Sequence, residues 1–312
     1  MESFLHAIAS VVIILLLTSV GYFCAARRWM GPEVKAFLSK YIISIAMPCM
    51  CIYSLRSNLT RELIEQSGKV LLVPFFSSVL LFLVSFGIGR LLRIPRRRLG
   101  VFVLMCSVSN AVFIGFPMCN ELFGEAATPY AVLYYLINTS FTQIVGLSLV
   151  RWSGDRGTHH TWKEVLLRFI TTPPIVGVFI GFALIFLNIQ PPSFLMSCLR
   201  YINATVTPLA LLLTGYIIHE IGLANLRLSR DLGVVLAFRF LFAPALSVLF
   251  SALIGVGGLA NSVIAVESAM PVVTQSVVAS TEYGADEQFA AQGSAISTLA
   301  CFIVIPILMV LL

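Results

Sequence analysis

Charged side chains are scarce in this sequence. Aspartate, glutamate, lysine and arginine together account for 11% of its 312 residues, whereas hydrophobic residues account for 59%. The mean hydropathy of +0.97 lies far above the range of soluble globular domains. No polar stretch longer than a short loop separates the apolar segments, so we expect no separate extramembrane domain. The composition therefore excludes a soluble protein and predicts an all-α polytopic membrane protein.

Histidine and catalytic motifs are also scarce. The four histidines are scattered, with no cysteine or carboxylate at the spacing of metal ligands. The sequence contains no GxGD, HExxH or rhomboid-like Ser/His arrangement. All seven cysteines lie inside or beside apolar segments, which indicates buried thiols rather than a disulfide framework. We therefore expect no enzyme activity, no metal site and no bound cofactor, and the isoelectric point near 9 bears on topology rather than on nucleic acid.

Apolar segments of about 20 residues, the length that crosses a bilayer as a helix, recur along the whole chain. The first is interpreted as a retained span rather than a secretion signal, because Arg27 and Arg28 follow it instead of preceding it. The fourth and ninth segments contain breaks. The ten predicted spans are 4–26, 36–56, 69–92, 99–123, 128–150, 165–187, 195–218, 230–254, 259–283 and 287–311.

The basic residues predict the orientation of these spans. With the N-terminus outside, fifteen of the twenty lysines and arginines fall on inward loops and span ends, four fall on outward ones, and Arg239 lies within a span. The positive-inside rule therefore predicts a multi-pass protein with both termini outside the cytoplasm. We expect it in a cell membrane, the inner membrane of a bacterium being favoured. The basic loops 90–98 and 151–164 are interpreted as topology determinants that contact lipid headgroups.

The second half of the chain resembles the first when it is shifted by about 160 residues. The segment KYIISIAMP (40–48) aligns with RYINATVTP (200–208), and the prolines at 117 and 271 each lie one span before the end of a half. Because each half has an odd number of spans, the second must be inverted, as in secondary transporters. Chance similarity between apolar helices is the alternative. The predicted organisation is a first repeat 1–150, a cytoplasmic linker 151–164 and an inverted repeat 165–312.

Two breaks in the predicted spans point to a binding site. Pro117 removes a backbone donor and Gly115 tolerates unusual backbone angles, which leaves unpaired groups at membrane depth. Such groups persist only where they are buried in protein or line a wet cavity, and polar side chains cluster at both breaks. The predicted substrate-binding residues are Asn110, Gly115, Pro117, Asn120, Asn138, Arg239, Pro271, Thr274, Gln275 and Ser276.

The predicted site favours an anion. A helix that restarts at Pro117 or Pro271 presents its free amide groups and its positive dipole end to the centre of the membrane. Arg239 adds a positive charge, with snorkelling or pairing with Glu267 as alternatives. Glu267 is interpreted either as a proton carrier or as the partner of Arg239 in a structural ion pair. These features favour a substrate that bears a carboxylate.

Other polar and small residues have two interpretations each. Thr139, Thr142 and Gln143 in the fifth predicted span either line a central cavity or form ordinary hydrogen bonds between helices. The segment GVFIG (177–181) predicts close packing of two helices, within the chain or at a dimer contact.

Three segments resemble the auxin efflux carrier family, which includes plant auxin carriers and many prokaryotic proteins described as malate or malonate permeases. They are NAVFIGFP (110–117), SAMPVVTQS (268–276) and AMPCMCIYSL (46–55), and the resemblance covers essentially the whole chain. It implies a fold like that of sodium/proton antiporters and bile-acid symporters, elevator-type alternating access, homodimerisation and substrate binding at Asn110, Pro117 and Pro271. The chain departs from the family in lacking the long cytoplasmic loop of many plant members and in carrying Glu267.

The sequence therefore predicts a secondary active or facilitative transporter of a small organic anion, such as malate, malonate or an auxin-like monocarboxylate. A membrane sensor or a channel for an organic acid is the alternative. The coupling ion is H⁺ or Na⁺, or there is none. The expected partners are the substrate anion, the lipid bilayer and a second copy of the chain, and no nucleic acid.

Overall fold

The computed structural model describes residues 2–58, 61–156, 162–222 and 226–311, and these residues form helices joined by short connections. The predicted linker 151–164 lies partly outside the described residues. In the first half the helices are α1 (Glu2–Ala26), α2 (Pro32–Tyr41), α3 (Met47–Asn58), α4 (Arg61–Leu91), α5 (Arg96–Ser107), α6 (Phe116–Phe123), α7 (Thr128–Phe141) and α8 (Leu147–Ser153).

The second half continues in the same manner. Its helices are α9 (Trp162–Ile170), α10 (Pro173–Phe186), α11 (Ser193–Ala204), α12 (Val206–Ile221), α13 (Arg230–Ala237), α14 (Ala243–Ile254), α15 (Gly258–Ser268), α16 (Gln275–Tyr283) and α17 (Glu287–Leu311). Four π-helical turns connect or precede α-helices, at Ile42–Ala46, Ala111–Gly115, Thr142–Gly146 and Phe238–Phe242.

Seven continuous helical segments among the described residues are long and apolar enough to cross a membrane, and four of them combine two or more of the helices named above. They are accompanied by the shorter apolar helices Ala111–Phe123 and Pro173–Phe186. These helices confirm an all-α polytopic membrane protein, while the count of ten crossings stays a prediction. The sixth predicted span, 165–187, is divided between α9 and α10, because Pro173 and Pro174 start a new helix.

Glycines allow the closest helix contacts. A Cβ atom built on Gly21 of α1 would lie 2.1 Å from the Leu212 carbonyl oxygen of α12, and one on Gly215 would lie 2.0 Å from that of Thr18. Only glycine permits such an approach of two backbones. Gly177 of the GVFIG segment faces Pro48 of α3 in the same way. The small-residue pattern is therefore a packing contact within the chain.

The apolar core forms two large clusters that meet at the helix breaks. One contains Ile114 and Phe116 beside Ala269 and Met270, and it extends over α1, α3, α7 and α12. The other contains buried residues of α5, α13, α16 and α17, together with Val272. The non-helical segments 108–110 and 269–274 therefore lie deep in the protein, between the two clusters.

Candidate functional site

Two chain segments without helical structure meet at the centre of the molecule. Helix α5 ends at Ser107, and α15 ends at Ser268. The backbone amide of Asn110 donates a 2.8 Å hydrogen bond to the carbonyl oxygen of Pro271, and Ser109 and Val272 form an antiparallel bridge. Each break therefore satisfies part of the backbone that the other leaves unpaired.

The helices do not resume at the prolines as the sequence predicted. After the first break the helix resumes with the π-helical turn Ala111–Gly115, and Pro117 lies in the first turn of α6. This wider turn lies just ahead of the proline ring, which would clash with the preceding turn of a regular α-helix. After the second break the helix resumes at Gln275, and Pro271 belongs to the extended segment. The prediction that helices restart at Pro117 and Pro271 is therefore wrong.

Asn110 connects the two breaks through its side chain. Its Nδ2 donates to Thr274 Oγ1 at 3.0 Å, and its Oδ1 accepts from the Phe113 backbone amide at 3.3 Å. The second bond is an N-cap for the helix that begins at Ala111. One asparagine thus caps one half-helix and holds the residue that precedes the other.

A second set of side chains bonds the backbone groups of Ser109 and Val272. Asn138 accepts from the Ser109 amide at 3.2 Å and donates to the Ser109 carbonyl at 2.9 Å. The hydroxyls of Ser109 and Tyr134 lie 3.1 Å apart, and Ser297 accepts from the Val272 amide at 3.0 Å. These bonds hold the non-helical backbone in place and pair polar groups that are buried in the protein.

We call the place where the non-helical segments 108–110 and 269–274 meet the crossover. A cavity of about 380 Å³ lies against it. It brings together four predicted site residues, Asn110, Asn138, Thr274 and Gln275. Thr139, Thr142 and Gln143 of the fifth predicted span also line the cavity. The remaining described lining residues are Lys35, Ser39, Ile43, Met47, Ser109, Ala111, Val112, Phe113, Tyr135, Thr172, Leu213, Ile217, Val273 and Val278.

Sequence analysis missed the face of the second span that lines this cavity. Lys35, Ser39, Ile43 and Met47 recur every four residues, which places them on one side of a helix. This four-residue spacing is the feature of the sequence that could have identified them as one lining face. Lys35, the charged residue among the described lining residues, forms an ion pair with Glu220 at the end of α12.

The other predicted site residues lie outside the cavity. Asn120 lines a second cavity of about 320 Å³. Gly115 packs against Glu267, since a Cβ atom at Gly115 would lie 2.2 Å from Glu267 Oε2. Ser276 is buried, and no described group bonds its hydroxyl. Pro117 lies in the first turn of α6, and the carbonyl oxygen of Pro271 accepts the hydrogen bond of the Asn110 amide.

Arg239 and Glu267 are fully buried but are not paired. Both have 0% exposed surface. Arg239 donates to the carbonyl oxygens of Cys106, Ser268 and Met270. Glu267 accepts a 3.7 Å hydrogen bond from Cys119 Sγ, and its Oε2 has no partner among the described groups. None of the four ion pairs among the described residues joins them, so the predicted structural ion pair is wrong.

The sequence of the chain is similar to those of known membrane proteins. Residues 6–309 match the sequence profile of a family described as membrane transport protein. The chain is 26% identical to an uncharacterized transporter of Methanocaldococcus jannaschii over 301 residues, which cover 95% of each chain. It is 22% identical to an uncharacterized transporter of Methanothermobacter thermautotrophicus over 322 aligned residues, which cover 99% of each chain.

The helical membrane fold and these matches define a membrane transporter and not an enzyme. The chain belongs to the membrane transport protein family, which is the auxin efflux carrier family, and the resemblance noted in the sequence is confirmed.

Proposed function

We propose that this transporter is a carrier of small organic anions that binds its substrate at the crossover of the two helix breaks. The proposal depends on one observation. The N-terminal ends of two half-helices, at Ala111 and at Gln275, converge on the cavity that Asn110 and Thr274 line.

The electrostatics of this cavity favour an anion. Each helix N-terminus is equivalent to about +0.5 elementary charge, so two of them together attract about one negative charge. The described lining residues include no aspartate or glutamate, and Lys35, which lines one side, is paired with Glu220, so the positive helix ends are the unbalanced charges. A carboxylate placed between Asn110 and Gln275 would accept hydrogen bonds from side-chain amides as well as from backbone amides.

The rest of the lining favours a substrate with an apolar body. Ile43, Met47, Phe113, Val273 and Val278 surround the polar patch. A second carboxylate on a small substrate would lie among these side chains, and burying an unpaired charge is costly. We therefore favour monocarboxylates with an aromatic or branched aliphatic group over malate or malonate.

Two cavities support alternating access. The cavity at the crossover contacts the helical segment Glu125–Ser153 between Tyr135 and Gln143, and the second cavity contacts it at Glu125 and Thr128. The first cavity therefore lies at the middle of this span and the second at its beginning. Met47 lines the first cavity and Met50 the second, so about one turn of α3 separates them. We propose an elevator-type cycle that exposes the crossover to each side in turn.

The remaining predictions form part of the same proposal. The antiparallel pairing of the two breaks supports an inverted repeat. We place the cavity that Lys35 lines on the cytoplasmic side and both termini outside, in a homodimer. Glu267 is the candidate proton carrier because it is a buried carboxyl group without an ionic partner among the described residues.

A binding screen followed by a flux measurement tests the proposal. Phenylacetate should raise the unfolding temperature of the purified protein with the logarithm of its concentration, since a ligand at 100 times its Kd stabilises the bound state by about 2.7 kcal/mol. Malonate at the same concentration should have a smaller effect. In proteoliposomes, labelled phenylacetate should exchange against unlabelled phenylacetate with saturable kinetics. Binding without exchange would favour a sensor, and non-saturable flux would favour a channel.

A further inference from the structure

The side chain of Arg239 is enclosed by backbone carbonyl groups. It lies in the π-helical turn Phe238–Phe242, in the middle of the span Arg230–Ile254. Its Nε and Nη2 donate to the Met270 carbonyl at 3.0 and 2.9 Å, and Nη2 also donates to the carbonyl of Ser268. Its Nη1 donates to the Cys106 carbonyl at 3.5 Å. The guanidinium group therefore bonds both breaks at once.

The Cys106 and Ser268 carbonyl groups belong to the last turns of α5 and α15, and the Met270 carbonyl group lies two residues beyond the end of α15. The last carbonyls of a helix have no partner within it, and each C-terminus is equivalent to about −0.5 elementary charge. Two such ends converge on Arg239, so their combined charge of about −1 matches the single positive charge of the side chain. This match explains how an arginine persists at 0% exposure with no carboxylate partner among the described residues.

The same arrangement places the negative helix ends and the positive helix ends of the crossover in different surroundings. The C-terminal ends of α5 and α15 are neutralised by Arg239, which does not line the cavity. The N-terminal ends at Ala111 and Gln275 face the cavity and have no acidic residue beside them among the described lining residues. The negative ends thus have an internal partner, and the positive ends are left for a ligand.

In carriers with broken helices, unwound carbonyls and half-helix C-termini are the groups that coordinate a coupling Na⁺. Here the guanidinium group occupies those acceptors. We propose that Arg239 is a fixed cation that takes the place of a metal ion at the crossover, so that the protein binds its anion without Na⁺. The statement about the anion rests on the proposed function, whereas the role of Arg239 in the crossover does not.

Chemical rescue tests the role of Arg239 without any substrate. In Arg239→Ala, the unfolding temperature should fall, and millimolar guanidinium chloride should restore most of the loss. Urea at the same concentration should not restore it, because urea has nearly the same shape and no charge. Leu246→Ala, a truncation of a buried side chain in the same span, should also lower the unfolding temperature but should not respond to guanidinium.

Equal rescue by urea, or an Arg239→Ala protein as stable as the wild type, would overturn the proposal. If Arg239→Ala cannot be purified, Arg239→Lys and Arg239→Met take its place. Lysine keeps the charge and should yield folded protein, whereas methionine has similar length without charge and should not. Equal yields of the two variants would contradict the role of the charge.

The dependence on Na⁺ is measured on the wild type. The unfolding temperature, and its increase by phenylacetate, should be the same in NaCl, KCl and choline chloride at equal ionic strength. Stabilisation by NaCl that KCl and choline chloride do not give would overturn the proposal. Failure of every carboxylate to stabilise the wild type would count against the proposed function and would leave the guanidinium result intact.

Discussion

The side-chain amide of Asn110 donates a hydrogen bond to the hydroxyl of Thr274, which joins two helix breaks that lie 164 residues apart in the sequence. Both residues line the cavity at the crossover. Removing either partner should therefore weaken the site through the same contact.

A double-mutant cycle measures this contact. Asn110→Ala and Thr274→Val should each weaken phenylacetate binding, and the double variant should lose less than the sum, with a coupling energy of about 1 kcal/mol. Thr139→Val, which lies in the same cavity, should combine additively with Asn110→Ala. The measurement is the phenylacetate Kd from titration calorimetry. Additive losses for the first pair would show that the hydrogen bond does not organise the site.

The contact between Gly115 and Glu267 predicts that a residue larger than glycine at position 115 destabilises the protein. Gly115→Ala should lower the free energy of unfolding by about 1–3 kcal/mol, because its Cβ would overlap a carboxyl group that is fully buried. Gly233→Ala is the matched control. It lies within α13 with no heavy atom within 4 Å of the added methyl group, and it should gain up to about 1 kcal/mol. Equal unfolding temperatures for the two variants would contradict the packing.

Lys35 should contribute to recruitment of the anion rather than to stability. Its ion pair with Glu220 is partly exposed, so Lys35→Gln should change the free energy of unfolding by less than about 1 kcal/mol. The KM for phenylacetate should rise several-fold at low ionic strength, and the difference from wild type should shrink as salt is added. Lys40→Gln, on the exposed side of α2, should leave KM unchanged. A KM that is insensitive to Lys35→Gln would place the substrate elsewhere.

Glu267→Gln tests proton coupling. The amide has the same shape as the protonated carboxyl group, so the variant should fold with an unfolding temperature close to that of the wild type. Uptake of phenylacetate driven by a pH step across the proteoliposome membrane should be lost, while exchange at equal pH should persist. If the pH step still accelerates uptake in the variant, Glu267 is not the proton carrier.

Labelling of engineered cysteines tests the orientation. In a Cys198→Ala background, which removes an exposed thiol, Asp155→Cys and Glu125→Cys each place a thiol at an exposed loop position. A membrane-impermeant maleimide added to intact cells should label the cysteine at 125 and should reach the one at 155 only after lysis. The reverse pattern would place both termini in the cytoplasm.

The positions of the two breaks were predictable from the sequence, because proline, glycine and amide residues interrupt otherwise apolar runs. The exact course of the backbone was not. A π-helical turn at Ala111–Gly115 precedes Pro117, and the residue types of this segment do not distinguish such a turn from a regular α-helix. The sequence predicted the helix start at the proline itself.

The role of the two buried charges was also beyond sequence reasoning. Arg239 and Glu267 have opposite charges and both lie at membrane depth, which favours an ion pair on electrostatic grounds alone. The structure provides a different partner for Arg239, namely carbonyl groups of residues 106, 268 and 270. Every residue has a backbone carbonyl group, so the residue types do not show which carbonyl groups accept hydrogen bonds from Arg239.

The pairing of Asn110 with Pro271 has a consequence for biosynthesis. The acceptor is made 161 residues after the donor, and at about 5–20 residues per second the interval is roughly 10 to 30 seconds. During that time the first break is in the membrane without its partner. The early helices must therefore wait beside the insertion machinery, or keep water at the break, until the later half arrives.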